Sequence, residues 1–201
     1  MTALQAIVLG LTQGAAEFLP ISSSGHLVIV PAVFGWAKPA VAFDVLLHLA
    51  TLLAVIVYFR RDLAGMVRGF FSRDPARAAE RRLAWLVIVG TVPTGLIGLA
   101  FDDLFESLFG AVVFVGVFLL VTAAILTLAE RLSHKHAHDP ATMRWWHAIA
   151  IGVAQGLAIA PGISRSGATM AAGLGVGLDR EQAARFSFLL SVPSILLAGV
   201  W

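Results

Sequence analysis

Three long apolar stretches dominate the pattern of hydrophobic and polar positions along the chain. Residues 41–59, 83–101 and 111–129 each run for 19 residues, and Asp44 and His48 are their only acidic, basic or imidazole side chains. A helix needs about 20 apolar residues to cross the hydrocarbon core of a bilayer. A transmembrane β-barrel would instead alternate apolar and polar residues, which these stretches do not. The pattern predicts an all-α, polytopic helical membrane protein.

An internal repeat is the second feature, because residues 6–25 and 148–167 align without a gap. Ten of the twenty positions are identical, including a Gln-Gly pair and the final Ser-Gly pair. Only the first copy contains an acidic residue, Glu17, and the second has Arg165 where the first has Ser23. Such self-similarity indicates two related halves with one composite site at their junction.

Each copy is interrupted near its middle, at Pro20 and at Pro161, and serine and glycine residues follow each interruption. Proline removes a backbone donor, and glycine permits dihedral angles that other residues avoid. Irregular backbone is tolerated at membrane depth only when it is buried in protein or lines a wet cavity. We therefore expect each copy to form a broken, re-entrant helix hairpin.

Basic residues concentrate in two of the connections between apolar segments. Residues 60–82 contain seven arginines and residues 130–144 contain three lysines and arginines, whereas loop 102–107 has neither. The positive-inside rule places the two basic connections in the cytoplasm and loop 102–107 outside. Three crossings then separate the two copies, so the repeats are expected to be inverted. One membrane domain would comprise repeat one, 1–129, and an incomplete repeat two, 145–201, in a chain truncated by about two helices.

Composition supports the membrane assignment. The chain is 59% hydrophobic and 13% charged, and its mean hydropathy is +0.88, whereas soluble domains are about 25% charged. Cysteine is absent, which excludes disulfide and thiol chemistry. The net charge of +2 is small, and no nucleic-acid partner is expected.

The first candidate constellation is Gln13, Glu17 and the following PISSSGH turn. Gln13 and Glu17 share a helix face because they are four residues apart. A carboxylate inside a membrane segment is costly and indicates function; Glu17 could bind a hard divalent cation or act as a general base. His26 could transfer a proton or attack phosphorus, and Ser22 and Ser23 are alternative nucleophiles or ligands. The structural alternatives are a hydrogen-bonded buried acid and a capping or core histidine.

The second constellation is PGISRSGAT, at residues 161–169. A permanent cation within a membrane segment needs a compensating anion, and the guanidinium of Arg165 matches phosphate oxygens in bidentate fashion. Additional donors are the hydroxyls and backbone N–H groups of Ser164, Ser166, Gly167 and Thr169. We interpret this segment as a phosphate cradle. A purely structural Arg165–Glu17 ion pair is the alternative.

On these two motifs the sequence resembles the bacterial undecaprenyl-diphosphate phosphatase family, the bacitracin-resistance proteins, over its whole length but without the family's last part. The resemblance implies catalytic roles for Glu17, Ser23, His26 and Arg165. It implies a metal at Glu17, Mg²⁺ or Ca²⁺. The implied substrate-binding residues are Gln13, Ser22, Ser24, Ser164, Ser166, Gly167 and Thr169. Many family members have Glu at the position of Gln13, so the amide here weakens a two-carboxylate metal site.

Other polar segments are less specific. Asp44 and His48 lie four residues apart and could form a second shell, a metal site or a structural polar pair. The segment HKHAH, at 134–138, is interpreted as a solvated linker. The basic amphipathic segment at 60–71 predicts an interfacial helix.

The expected function is hydrolysis of undecaprenyl diphosphate to undecaprenyl phosphate and inorganic phosphate, which recycles the lipid carrier of cell-wall synthesis. The alternative is a transporter or flippase of an anionic lipid phosphate. An intramembrane serine protease is disfavoured because Ser23 and His26 are only three residues apart. The expected location is the bacterial inner membrane, with the site facing the periplasm. Expected partners are a polyprenyl diphosphate and membrane lipids, with a homodimer as one option.

Overall fold

The computed structural model describes residues 1–108, 111–132 and 143–198, which form α-helices and no strands. This confirms the all-α class. A 3₁₀ turn, Pro75–Arg77, precedes α5. The helices of the described residues are α1 (Ala3–Phe18), α2 (Ser23–Val33), α3 (Val41–Tyr58), α4 (Arg60–Phe71), α5 (Ala78–Ala100), α6 (Asp102–Leu108), α7 (Val112–Leu132), α8 (Trp145–Leu157), α9 (Arg165–Gly175) and α10 (Arg180–Ala198).

The three long apolar stretches form three long helices, as predicted. Segments Val41–Tyr58, Pro75–Ala100 and Val112–Arg131 are long and apolar enough to cross a membrane. Only 17%, 33% and 11% of them, respectively, is buried within the protein, so most of their apolar surface faces outward. Lipid tails would cover that surface, which fits a membrane protein.

Both repeat copies form a helix, a break and a second helix. A capping box between Thr2 and Gln5 begins α1. The first break separates α1 from α2, and the two helices pack against each other. The second break separates α8 from α9 in the same way. The predicted interruptions at Pro20 and Pro161 are therefore confirmed.

Two connections also contain helices. The predicted amphipathic helix is α4, with the bounds expected from the sequence. Segment 102–107, predicted as a loop, instead lies within α6. Asp102 and Asp103 occupy the first turn of α6, where carboxylates stabilise the positive end of a helix dipole. The HKHAH segment lies outside the described residues.

The main apolar core holds the second hairpin in place. Buried side chains from α4, α5, α8 and α10 form most of this cluster, and Ala172 and Leu174 of α9 pack against it. Helices α5 and α8 cross where Gly90 and Gly152 meet, and a side-chain carbon on Gly152 would collide with the Gly90 carbonyl. Small residues allow such close backbone approach in membrane proteins. A second cluster joins α3 to α10 through Leu52, Val55 and Val192.

Candidate active site between the two helix breaks

The first break runs from the end of α1 to the start of α2. Ser22 caps α2, because its side-chain oxygen accepts a hydrogen bond from the Gly25 N–H at 3.3 Å. Its hydroxyl also lies 3.3 Å from that of Ser24. Ser22 has a φ of 67°, which is unusual for a residue other than glycine. The chain therefore makes a sharp, strained turn immediately before Ser23.

The second break repeats this hydrogen-bond pattern. Ser164 caps α9 by accepting a hydrogen bond from the Gly167 N–H at 3.0 Å, and its hydroxyl lies 3.2 Å from that of Ser166. Here the positive φ, 98°, belongs to Gly162. The sequence repeat thus extends to the caps that begin α2 and α9.

The two breaks touch each other. A side-chain carbon at Gly25 would lie 3.1 Å from the Gly162 Cα, and one at Gly167 would lie 3.3 Å from the Pro20 carbonyl oxygen. Ser166 donates a hydrogen bond to the Leu19 carbonyl at 3.4 Å. The turns from the two halves therefore form one junction, as the repeat predicted.

Glu17 is the centre of this junction and is only 7% exposed. Its Oε1 forms an ion pair with Arg165. Its Oε2 accepts hydrogen bonds from the Ser23 hydroxyl at 2.5 Å and from the Gln13 amide at 3.2 Å. The predicted meeting of the carboxylate from one half with the guanidinium from the other is confirmed in this geometry.

Arg165 contacts Glu17 through one nitrogen of its guanidinium, Nη2, and a second nitrogen is available. Its side chain is 18% exposed, and its Nη1 is buried without a hydrogen-bond partner. A guanidinium can hold two acceptors in one plane. The free Nη1 is therefore suited to an additional anionic oxygen next to Glu17 and Ser23.

The remaining predicted residues line the breaks in different ways. His26 Nδ1 lies 2.7 Å from the Ser22 carbonyl oxygen. This bond to the preceding turn sets the orientation of the imidazole ring. The Thr169 hydroxyl lies 2.5 Å from the Ser187 hydroxyl and 2.8 Å from the Arg165 carbonyl oxygen. These contacts tie Thr169 to α10 and to the first turn of α9.

His48 lies beside Glu17, in the second shell that the sequence left open as one of three alternatives. Its Nε2 lies 3.8 Å from Glu17 Oε2, and its Nδ1 lies 2.8 Å from the Asp44 carbonyl oxygen. That bond uses the backbone of Asp44. The side-chain Oδ1 of Asp44 is buried without a hydrogen-bond partner. The four-residue spacing placed the two residues on one helix face but gave no signal that this face meets α1.

Comparison with known proteins gives the family. The structure defines an all-helical membrane protein with a polar site buried between two related helix breaks. Residues 6–201 match the family described as bacitracin resistance protein BacA, and the chain belongs to that family.

Similar proteins cover nearly the whole chain. One from Methanosphaera stadtmanae, named undecaprenyl-diphosphatase, is 48% identical over 98% of this chain and 75% of its own length. One from Myxococcus xanthus with the same name is 47% identical over 100% of this chain and 69% of its own length. One from Shouchella clausii, named undecaprenyl-diphosphatase 1, is 44% identical over 100% of this chain and 74% of its own length.

Proposed function

We propose that this chain hydrolyses undecaprenyl diphosphate to undecaprenyl phosphate and inorganic phosphate, and so recycles a lipid carrier for cell-wall synthesis. The names of its relatives support the substrate. The observation that carries the reaction type is the Ser23 hydroxyl, held 2.5 Å from a buried carboxylate that is paired with Arg165. This arrangement supplies a base, a nucleophile and a cation at one point.

In the proposed first step, Ser23 Oγ attacks the terminal phosphorus. A bond forms between the serine oxygen and phosphorus, the bond to the bridging oxygen breaks, and the lipid monophosphate departs. Glu17 accepts the proton of the Ser23 hydroxyl, which already donates a hydrogen bond to Glu17 Oε2. Arg165 stabilises the charge on the transferred phosphoryl oxygens through its unpartnered Nη1.

In the proposed second step, water gives a proton to His26 and attacks the phosphorus of the phosphoserine; the bond between phosphorus and the serine oxygen breaks, and inorganic phosphate leaves. The serine oxygen recovers a proton from Glu17. We assign His26 to proton transfer at this step, because its Nδ1 bond to the Ser22 carbonyl fixes the ring and leaves Nε2 for exchange. Attack by His26 itself is the competing assignment.

A divalent cation, Mg²⁺ or Ca²⁺, fits the donor atoms at this site. Gln13 has a buried amide oxygen without a partner, and Glu17 Oε2 is the acceptor of the same amide's N–H. The described residues contain no cluster of three or more His, Cys, Asp or Glu side chains. Mg²⁺ is commonly bound by one or two protein oxygens together with substrate phosphates. Gln13 and Glu17 would hold it, and it would neutralise phosphate charge when bound.

We also propose how the chain sits in its membrane. The two hairpins, within repeats 1–129 and 145–201, would enter from opposite faces of the bacterial inner membrane, with the site open to the periplasm. The arginine-rich connection at 60–82 supports a cytoplasmic location for α4. Glu17 and Arg165 belong to the same chain, so this pairing needs no second subunit.

The test is phosphate release by the purified chain in lipid nanodiscs supplied with undecaprenyl diphosphate labelled in its terminal phosphate. We expect release that requires Mg²⁺ or Ca²⁺ and stops with a chelator. Binding without release would contradict the hydrolase and support the transporter. Rapid quenching should trap the label on Ser23 as an acid-stable phosphoserine, whereas an acid-labile label would identify His26.

A further inference from the structure

One face of α7 forms a wall against both helix breaks. Val115 and Phe118 pack against Gly162, where a side-chain carbon would lie 2.5 Å from the Val115 carbonyl oxygen. Leu119 packs against the first break, 3.1 Å from the equivalent point at Gly25. Residues at this spacing lie on the same side of a helix. The long helix between the two repeats therefore shapes the junction at which Glu17 and Arg165 meet.

Thr122 is the polar member of this face and makes two hydrogen bonds to the second break. Its hydroxyl donates to the Gly162 carbonyl at 3.0 Å and accepts from the Ser164 N–H at 3.0 Å. It is 4% exposed and lies at the middle of Val112–Leu132. One side chain thus satisfies a carbonyl and an amide on the two sides of Ile163.

This use of a threonine hydroxyl differs from the usual one in a helix. Thr127, on the same helix, donates to the carbonyl of Ala123 four residues earlier, at 2.7 Å. That local bond is the ordinary choice for threonine in a helix. Thr122 bonds a different segment instead, so its hydroxyl connects α7 to the start of α9.

The bonded atoms lie immediately before Arg165. Ser164 is the N-cap of α9 and Arg165 is its first residue, so the positions of Gly162 and Ser164 set the direction in which the guanidinium leaves the backbone. Buried backbone groups without partners are costly, most of all where water is excluded. Without the Thr122 hydroxyl, this turn would need another arrangement to satisfy them.

We propose that Thr122 is a positioning residue that holds Arg165 in register with Glu17 and the phosphate. The inference rests on the proposed hydrolase function for its kinetic consequence. Its structural part, the hydrogen bond to the Ser164 amide, is independent of that function.

The experiment compares Thr122→Val, which removes the hydroxyl at nearly constant shape, with Thr122→Ser, which keeps it. Thr127→Val is the matched control, because it removes a hydroxyl from an exposed position on the same helix. We expect Thr122→Val to lower kcat by about 10- to 100-fold, as small misplacements of catalytic groups do. Thr122→Ser keeps the hydroxyl, and Thr127→Val changes an exposed position, where substitutions have small effects, so both should remain within about twofold of the unmodified chain.

Hydrogen exchange of the Ser164 amide provides a measurement that does not depend on activity. The amide should be protected in the unmodified chain, in Thr122→Ser and in Thr127→Val, and it should exchange faster in Thr122→Val. Fast exchange in the unmodified chain would overturn the inference even if Thr122→Val does not fold.

The kinetic outcomes separate positioning from stability. Equal kcat in Thr122→Val and Thr127→Val, measured well below both unfolding temperatures, would overturn the inference while leaving the hydrolase intact. Failure of Thr122→Ser to restore kcat would overturn it too, because the hydroxyl would then not be the cause. Absence of phosphate release from the unmodified chain would contradict the hydrolase, and the exchange result would still decide whether Thr122 holds the turn.

Discussion

The two helix breaks share a frame and differ in their reactive groups. In both, a serine caps the second helix, and a buried glutamine of the first helix donates to a hydroxyl on a neighbouring helix. Gln13 donates to Thr51 at 3.5 Å, and Gln155 donates to Ser194 at 2.6 Å. The second copy, residues 148–167, lacks an acid, because Ile159 stands at the repeat position of Glu17.

This difference indicates that the halves have divided the chemistry between them. The frame needs the same caps and buried amides in both halves, because each break must satisfy its backbone without water. In the proposed mechanism the base and the nucleophile lie in the first half, and the cation lies in the second. Since Glu17 and Arg165 contact each other directly, each half is incomplete without the other.

The largest expected effect is that of removing the second half's cation. Arg165→Ala should lower hydrolysis by about 10³-fold or more, the scale of an arginine that stabilises a phosphoryl transition state. Arg68→Ala, in the amphipathic α4, is the control and should leave hydrolysis unchanged. Phosphate release in nanodiscs measures both. Near-normal turnover in folded Arg165→Ala would show that its pairing with Glu17 is only structural.

Neutralising the first half's acid should have the next largest effect. Glu17→Gln keeps the shape of the side chain but cannot accept the Ser23 proton. We expect kcat to fall about 10²- to 10⁴-fold, the usual contribution of a positioned general base. Single-turnover kinetics would show the loss in formation of the phosphoenzyme. An unchanged burst of phosphoserine would assign the base to another residue.

The buried glutamines offer a matched pair. Gln13→Glu adds a carboxylate beside Glu17, near Arg165, and should strengthen Mg²⁺ or Ca²⁺ binding by about tenfold, since ligand charge tunes such sites. Gln155→Glu places a carboxylate among Thr94 and Ser194, which offer no positive charge.

The expected cost of Gln155→Glu is about 3 kcal/mol of stability, because it leaves a buried charge unpaired. Thermal unfolding with and without the cation measures both variants. Equal destabilisation, with no added cation effect in Gln13→Glu, would mean that the two halves do not differ in electrostatic environment.

The sequence predicted those parts of the structure that local rules determine. The apolar stretches located the three long helices. Proline, glycine and serine located the breaks, and the repeat predicted one composite site with Glu17 in one copy and Arg165 in the other. These features depend on residues close in sequence or on matching positions in the two copies.

Contacts that depend on helix rotation could not be predicted. The helix that contains Thr122 is apolar on all sides, so periodicity does not reveal which face meets protein and which meets lipid. The approach of His48 to Glu17 and the bond between Thr94 and Gln155 depend on the same rotations. Two threonine hydroxyls within a long apolar helix were the available signal, but they did not show which of them bonds another segment.

The smallest predicted effect separates the two caps by their backbone geometry. Ser22 has a φ of 67°, which glycine adopts without strain, whereas Ser164 has a φ of −72°. Replacing a serine cap by glycine costs only a few tenths of a kcal/mol, and relief of a positive φ returns about 0.5–1 kcal/mol. Ser22→Gly should therefore be neutral or slightly stabilising. Each variant loses a contact with a neighbouring serine hydroxyl, Ser24 or Ser166, but Ser164→Gly has no strain to relieve, so it should cost about 1 kcal/mol, or 2–4 °C in unfolding temperature. Equal losses in the two variants would show that the turn before Ser23 stores no strain, and that the two breaks are alike in backbone energetics as well as in their caps.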